Sequence, residues 1–191
     1  MAPTVSVVVV ARDRAALTLR CLTALARLPD EPTFEVVLVD DGSTDETPAI
    51  LDAIEGDLVA VRNDEPNGLA AAWDQGVAAS SGEHVVLLHD DAVPCEGWLT
   101  ALVGPFDGDG DIGAARPRCI DLGGAFLPEP HWLALAVRRA AYDDVGGFAG
   151  TEAPGKAQKL ELLEALRRAG WGVMDAPEAI LLLVPDALAS A

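Results

Sequence analysis

The chain has 191 residues, 50% of them hydrophobic, with a mean hydropathy of +0.25, which is enough for one domain with a sizeable core and excludes an intrinsically disordered chain. Against 13 Lys and Arg stand 31 Asp and Glu, a formal net charge of −18. Such a surface repels phosphate backbones and anionic lipids, so nucleic acid is not expected as a partner.

A phosphate-bearing substrate would need a cation or oriented backbone N–H groups to enter that field. The three cysteines, Cys21, Cys95 and Cys119, lack metal-ligand spacing and fit a reducing, cytoplasmic setting with ordinary thiols. No basic stretch precedes the first apolar run. Both Val5–Val10 and Ala179–Val184 are too short to cross a bilayer, so no membrane span or signal peptide is expected.

Along the chain, VSVVVVA (Val5–Ala11) is rich in β-branched residues and predicts a central strand covered on both faces. Arg14–Leu28 sets Leu17, Cys21, Leu25 and Leu28 on one helical face. Phe34–Asp41 reads as a second buried strand. Ser43 with Glu46 three residues on predicts a capping box, opening a helix over Thr44–Ile54 with Pro48 in its first turn. A strand at Leu58–Asn63, an Ala-rich helix at Gly68–Ser80 and a strand at His84–His89 follow. This alternation predicts right-handed βαβ units in a mostly parallel sheet. Ligands of such sheets bind beyond the carboxyl ends of the strands. Those ends carry Arg12-Asp13, Asp40-Asp41, Asn63-Asp64 and His89-Asp90-Asp91, a polar and acidic edge.

The remainder is less regular. Pro105–Gly113 reads as a Gly/Asp turn region, with strands at Ile112–Arg118 and His131–Val137. A short helix over Arg138–Val145 leads to the turn Gly146–Phe148 and a polar loop, Gly150–Gln158. Lys159–Gly170 predicts a helix with Leu160, Leu163 and Leu166 inward, basic residues in its last turn and Gly170 as its stop. WGVMDAP and AILLLV close the chain as two short strands. Without repeats or a linker, residues 1–191 read as a single domain.

The ordered succession VSVVVVARDR, FEVVLVDDGSTDET, NDEPNGLAAAWDQGVAASSGEHVVLLHDDAVPCEGWL, VRRAAYDDVGGF and LRRAGWGVMDAPEA resembles the inverting family 2 glycosyltransferases of the GT-A fold, over nearly the whole chain. The resemblance implies an α/β fold with a Rossmann-like, mostly parallel central sheet flanked by helices and a small C-terminal mixed α/β part. Residues 1–104 would form the nucleotide-sugar-binding half and 105–191 the acceptor side. It implies a nucleotide diphosphate sugar (UDP- or GDP-linked) as donor, a divalent cation (Mn2+ or Mg2+), and transfer with inversion to an unidentified acceptor. A homodimer is left open. The alternative is a catalytically impaired relative serving as a nucleotide-sugar-binding or regulatory module. A third reading is a plain doubly wound nucleotide-binding domain, against which the ordered VGGF and RRAGW elements argue.

Site residues follow position by position. By resemblance Asp40 and Asp41 recognise base and ribose, Asp41 being the closer match; a carboxylate accepts from ring N–H or hydroxyl groups. The same DDGST can instead cap a helix and make a turn. In His89-Asp90-Asp91, Asp91 takes the last position of the family's metal motif and Asp90 its variable, nucleotide-side position. His89 stands where an acid is usual, as a ligand, a ribose contact or neither. Carboxylate oxygens suit Mn2+ or Mg2+. Val10 and Arg12 fall in the nucleotide-contacting stretch after the first strand, where Arg12 replaces an aromatic and can stack on a base, pair with phosphate or stay at the surface. Asn67-Gly68 matches the turn before the third helix, whose N-terminus can face phosphate. The expected carboxylate base, however, is replaced by Gln158 and Lys159; Glu152 and Glu161 are the nearby candidates for catalysis. A late His that helps hold the metal in some relatives is missing, with His84 and His131 as alternatives if the fold brings them close. Trp98, Trp132 and Trp171 read as core by default.

Overall fold

Seven consecutive buried residues, Val5–Ala11, make β1 the middle of a sheet. Strand β2 (Phe34–Asp41) lies parallel on one side of it and β4 (His84–His89) on the other, with β3 (Leu58–Asn63) outside β2. The computed structural model describes residues 3–28, 32–54, 58–108, 110–127, 133–148 and 157–185. Parallel strands need covered faces, and alternation along β1 supplies both. Val7 and Val9 pack with Cys21 and Leu25 of α1 (Ala15–Leu25), whereas Val8 and Val10 pack with Trp73 and Val77 of α3 (Leu69–Ala79). Burying each such aliphatic side chain contributes about 1.5–3 kcal/mol. Helix α2 (Thr47–Ala53) joins β2 to β3.

The later elements are β5 (Ala92–Pro94), α4 (Trp98–Val103), α5 (Pro105–Gly108), β6 (Ile112–Ile120), β7 (Ala134–Arg138), α6 (Arg139–Asp144), α7 (Ala157–Arg168) and β8 (Gly172–Leu183). They extend the same sheet to eight strands in the order β3-β2-β1-β4-β7-β6-β8-β5. Strand β7 runs antiparallel to β4 and β6, β8 parallel to β6, and β5 antiparallel to β8. The α/β architecture with a parallel first half and a mixed second half is therefore the one the sequence predicts. Among the described residues no helix is long and apolar enough to cross a membrane.

Four local expectations need correction. The capping box does not form: Ser43 Oγ accepts from the Asp13 N–H, and the helix starts at Thr47, whose N–H is taken by Asp45 Oδ1. On α7 the inward residues are Lys159, Leu162, Leu163 and Leu166, and Leu160 is 45% exposed. The helix starts two residues earlier than predicted, and Lys159, which polarity argued outward, points in. The two closing strands are one, β8, pairing with β6 across a register shift at Pro117/Arg118. Finally, the first residues of the Gly/Asp region, Pro105–Gly108, are helical, and the three-residue β5 has no signal of its own in the sequence.

Candidate functional site

Parallel pairing brings the carboxyl ends of four strands level. Ala11 stands opposite Asp40, Asp41 opposite Asn63, and Val10 opposite His89. The loops after β1 and β2 then lock together. Asp13, at φ +51° in a region L-residues rarely adopt, takes the N–H and Oγ1–H of Thr44 on Oδ1 and gives its own N–H to Ser43 Oγ. Asp45 receives the N–H of Ala15 at the start of α1. The Thr44 N–H holds the Asp13 carboxyl below the usual carboxylate range. Burial pushes Asp45 upward, but hydrogen bonds from Thr47 and Ala15 outweigh it, and its carboxyl is held below that range too.

This interlock aims Arg14, the residue capping α1, across the edge of the sheet. Its Nη1 donates to Asp90 Oδ1 (2.8 Å) and its Nη2 to Asp91 Oδ2 (3.3 Å). The adjacent carboxylates after β4 are thus offset by a guanidinium. Asp90 is buried and Asp91 half-buried, and Asp91 Oδ1 is a buried oxygen with no hydrogen-bond partner among the described residues. Ligand-type atoms of His89, Asp90 and Asp91 all lie within 4.8 Å of one another, a hard-donor set that fits a divalent cation. Beneath it, the buried Cys21 thiol donates to the His89 carbonyl at 3.8 Å. Burial, and then the charges of Asp90 and Asp91, push that thiol up and make it inert.

Asp41 is buried, and its carboxylate closes the turn before α3. Oδ1 accepts from Asn63 Nδ2 (3.0 Å) and the Asn67 N–H (2.7 Å), Oδ2 from the Gly68 N–H (3.0 Å). Gly68 has φ +90°, which a side chain would strain. Asp40, also buried, takes the Ser43 N–H on Oδ1. Val10 is core, with its side chain on the α3 face of the sheet. Arg12 is exposed at the end of β1.

Under the cluster, the His89 ring meets Trp73 edge-on at 5.3 Å. The Trp73 ring also stacks on Phe148 and takes Lys159 Nζ 4.5 Å from its centroid. Lys159 is 1% exposed and donates to the Leu87 carbonyl of β4 at 3.5 Å. The VGGF turn is fixed to α3: Asp74 accepts from both the Tyr142 hydroxyl and the Phe148 N–H. Burial, then the Asp74 carboxylate, push the Tyr142 hydroxyl up, so it stays a donor.

Of the predicted site residues, the structure brings His89, Asp90 and Asp91 together, and sets Asp40, Asp41, Asn67 and Gly68 along the neighbouring strand ends. Glu161 is half-buried on α7 and makes no ion pair among the described residues. Glu152, His131 and Trp132 lie outside the described residues. His84 sits at the amino end of β4, buried against Phe106, so it does not reach the cluster. Trp98 is core, as its default implied, and Trp171 donates from Nε1 to Asp144. Arg14 and Trp73 were not singled out by the sequence, and Asp13 was placed on the acidic edge without a role of its own. For Arg14 a signal existed: two adjacent carboxylates ending a buried strand call for a counter-charge.

An eight-stranded α/β sheet with an acidic cluster at the carboxyl end of its fourth strand defines a GT-A type domain. The chain matches the model of the family described as "Glycosyl transferase family 2" over residues 6–158, and it belongs to that family. The pre-mycofactocin glycosyltransferase of Mycobacterium tuberculosis is 31% identical over 193 residues, covering 84% of this chain and 39% of that protein. The PGL/p-HBAD biosynthesis glycosyltransferase of Mycobacterium bovis is 32% identical over 111 residues, covering 56% and 43%. The chain therefore spans about two-fifths of the length of these curated relatives. In fold it is similar to the mannosyltransferase PcManGT of Pyrobaculum calidifontis, solved in complex with GDP-Man and Mn2+. The TM-score is 0.76 at 23% identity, covering 97% of this chain and 58% of that one. GalNAc-T7, solved with UDP, GalNAc and Mn2+, gives a TM-score of 0.78 at 16% identity, covering 96% and 44%.

Proposed function

We propose that this chain is a glycosyltransferase unit that takes a sugar from a nucleotide diphosphate sugar and transfers it to an acceptor, with inversion and with a divalent cation. The observation that carries the reading is the His89-Asp90-Asp91 cluster, level with the ends of β1 and β2, on a family 2 chain. Relatives in fold were solved with GDP-Man or UDP and with Mn2+, which supports both the donor class and the metal.

Asp91, with its unpartnered buried oxygen, is the principal ligand proposed for the cation, joined by His89. A bound Mn2+ or Mg2+ supplies positive charge against the departing diphosphate. The nucleoside side falls to Asp40, Arg12 and the turn at Asn67-Gly68. Asp40 makes one hydrogen bond among the described residues and keeps its second oxygen for a ribose or base donor. Asp41 acts by holding the turn in shape, since both its oxygens are engaged. Asp90 anchors Arg14 beside them. An inverting transfer also needs a carboxylate to take the acceptor proton, a role we assign to Glu152 or Glu161.

A second reading, a sugar-nucleotide-binding module without turnover, is favoured by one observation. Where the family carries its acid, this chain carries Lys159, a buried cation held on the Trp73 ring and the Leu87 carbonyl.

Calorimetry with UDP- and GDP-sugars, with and without Mn2+, tests binding, and sugar-nucleotide hydrolysis tests turnover. Metal-dependent binding that Asp91→Ala abolishes supports the site. Unchanged affinity in that variant removes the metal role. Metal-dependent binding with no turnover in the presence of acceptor extracts selects the second reading.

A further inference from the structure

The bidentate contact of Arg14 has a consequence for how the cluster takes a cation, and it rests on the metal reading above. Nη1 reaches Asp90 Oδ1 at 2.8 Å and Nη2 reaches Asp91 Oδ2 at 3.3 Å, so one guanidinium spans both carboxylates. The arrangement is built rather than incidental. Asp90 is 4% exposed, and Ala15 is pinned through its N–H to Asp45, while Thr18 gives both its N–H and its hydroxyl to the Arg14 carbonyl. The arginine side chain itself is 30% exposed and borders an open cleft of about 410 Å³ lined by Asp13, Ala15, Asp45 and Glu46. It therefore has room to leave.

We propose that Arg14 is an internal counter-ion that competes with the divalent cation for Asp90 and Asp91. In the metal-free protein the guanidinium neutralises the pair and keeps the cluster assembled. A cation entering at the unpartnered Asp91 Oδ1 meets the guanidinium on Oδ2 of the same carboxylate, and full coordination displaces it from at least Asp91, whose contact is the longer one. The freed guanidinium, a planar donor suited to phosphate oxygens, would then be available to hold the diphosphate. Metal and diphosphate together thus open a site that free metal enters weakly. Arg14 is a positioning residue for the metal and a binding residue for the diphosphate.

The test is Mn2+ binding to the whole chain, read by electron paramagnetic resonance, alone and with UDP or GDP added. Arg14→Ala should bind free Mn2+ about tenfold more tightly than the unsubstituted protein, a change of about 1.4 kcal/mol. It should also show a smaller gain in Mn2+ affinity on adding the nucleoside diphosphate. Arg14→Lys, which keeps the charge but cannot span two carboxylates, should fall between. Arg20→Ala removes the same charge from the same helix and controls for the general field. Equal tightening in Arg14→Ala and Arg20→Ala, or no tightening in either, overturns the exchange while leaving the metal site standing. Absence of Mn2+ binding in every variant, with and without nucleotide, overturns the metal reading and the exchange with it. Thermal melts of each variant confirm that the fold is retained.

Discussion

Asp41 at the end of β2 receives the backbone N–H groups of both Asn67 and Gly68, at 2.7 and 3.0 Å, and so ties the second strand to the first turn of α3. A third donor, Asn63 Nδ2, comes from β3. Hydrogen bonds to a charged, buried acceptor are worth about 1.5–3 kcal/mol each, and a buried donor left alone costs a similar amount. Asp41→Ala should therefore destabilise the fold by roughly 3–5 kcal/mol in urea titrations. Asp41→Asn retains one acceptor oxygen and should lose about half of that. A change below about 1 kcal/mol in Asp41→Ala would show that the turn does not depend on this carboxylate.

Gly76 separates two effects of opposite sign. Alanine is the better helix former by about 1 kcal/mol. Yet a Cβ at Gly76 would stand 2.3 Å from Val8 Cγ1 and 3.1 Å from Val39 Cγ2, on the sheet face that α3 covers. Overpacking of this kind typically costs about 1–3 kcal/mol, and more when the neighbours belong to central strands. The overlap should win, and Gly76→Ala should lower Tm by several degrees. A raised Tm would mean that α3 slides freely on the sheet.

The contrast between Gly76 and Arg14 shows what the sequence makes legible. Strands β1, β2 and β4 announce themselves because burial on both faces demands unbroken apolar runs, and their ends locate the acidic edge. His89, Asp90 and Asp91 were legible for that reason. Features that depend on which loops meet were not. Ser43 and Glu46 form a sound capping box in isolation, but the loop after β1 takes Ser43 for Asp13, a contact 30 residues apart in sequence. Lys159 reads as a surface charge on α7, and only the position of Trp73 and the Leu87 carbonyl explains its burial. Likewise the role of Arg14 follows from the fixed start of α1, not from its neighbours in the chain.

At the opposite edge of the sheet, Glu35 makes an acid-sensitive tie. One of its oxygens accepts from Ser6 Oγ, the Ser81 N–H and Ser81 Oγ. Burial pushes the Glu35 carboxyl up, but these donors outweigh it and hold it below its ordinary value of 4.5. A carboxyl lowered in the folded state contributes stability above its unfolded value, and that stability is lost as pH falls through the folded one. Glu35→Gln should thus cost roughly 1–2 kcal/mol at neutral pH, about 2–8 °C in Tm. The gap between the two proteins should close as the pH drops below about 4.5. A gap that stays constant down to pH 3 would mean that packing, not charge, holds this corner.

The identity of the base is the prediction on which catalysis turns. General-base assistance contributes about 10²–10⁴-fold in rate, far above what a surface charge contributes. Lys159 is buried against Trp73 and donates to the Leu87 carbonyl, and an ammonium group that already carries its proton cannot take one from an acceptor. The proposed base is then a carboxylate from the same stretch of sequence, Glu152 or Glu161. Glu161 lies on α7, one position before the inward-facing Leu162 and Leu163. Once turnover is established with a donor and acceptor, Glu152→Gln and Glu161→Gln should differ sharply. The variant lacking the base should lose about 10²-fold or more in kcat with Mn2+-dependent donor binding unchanged, and the other should stay within about threefold. Rate unchanged in both would exclude each as the base. A parallel loss of donor affinity in either would instead mark that residue as part of donor binding.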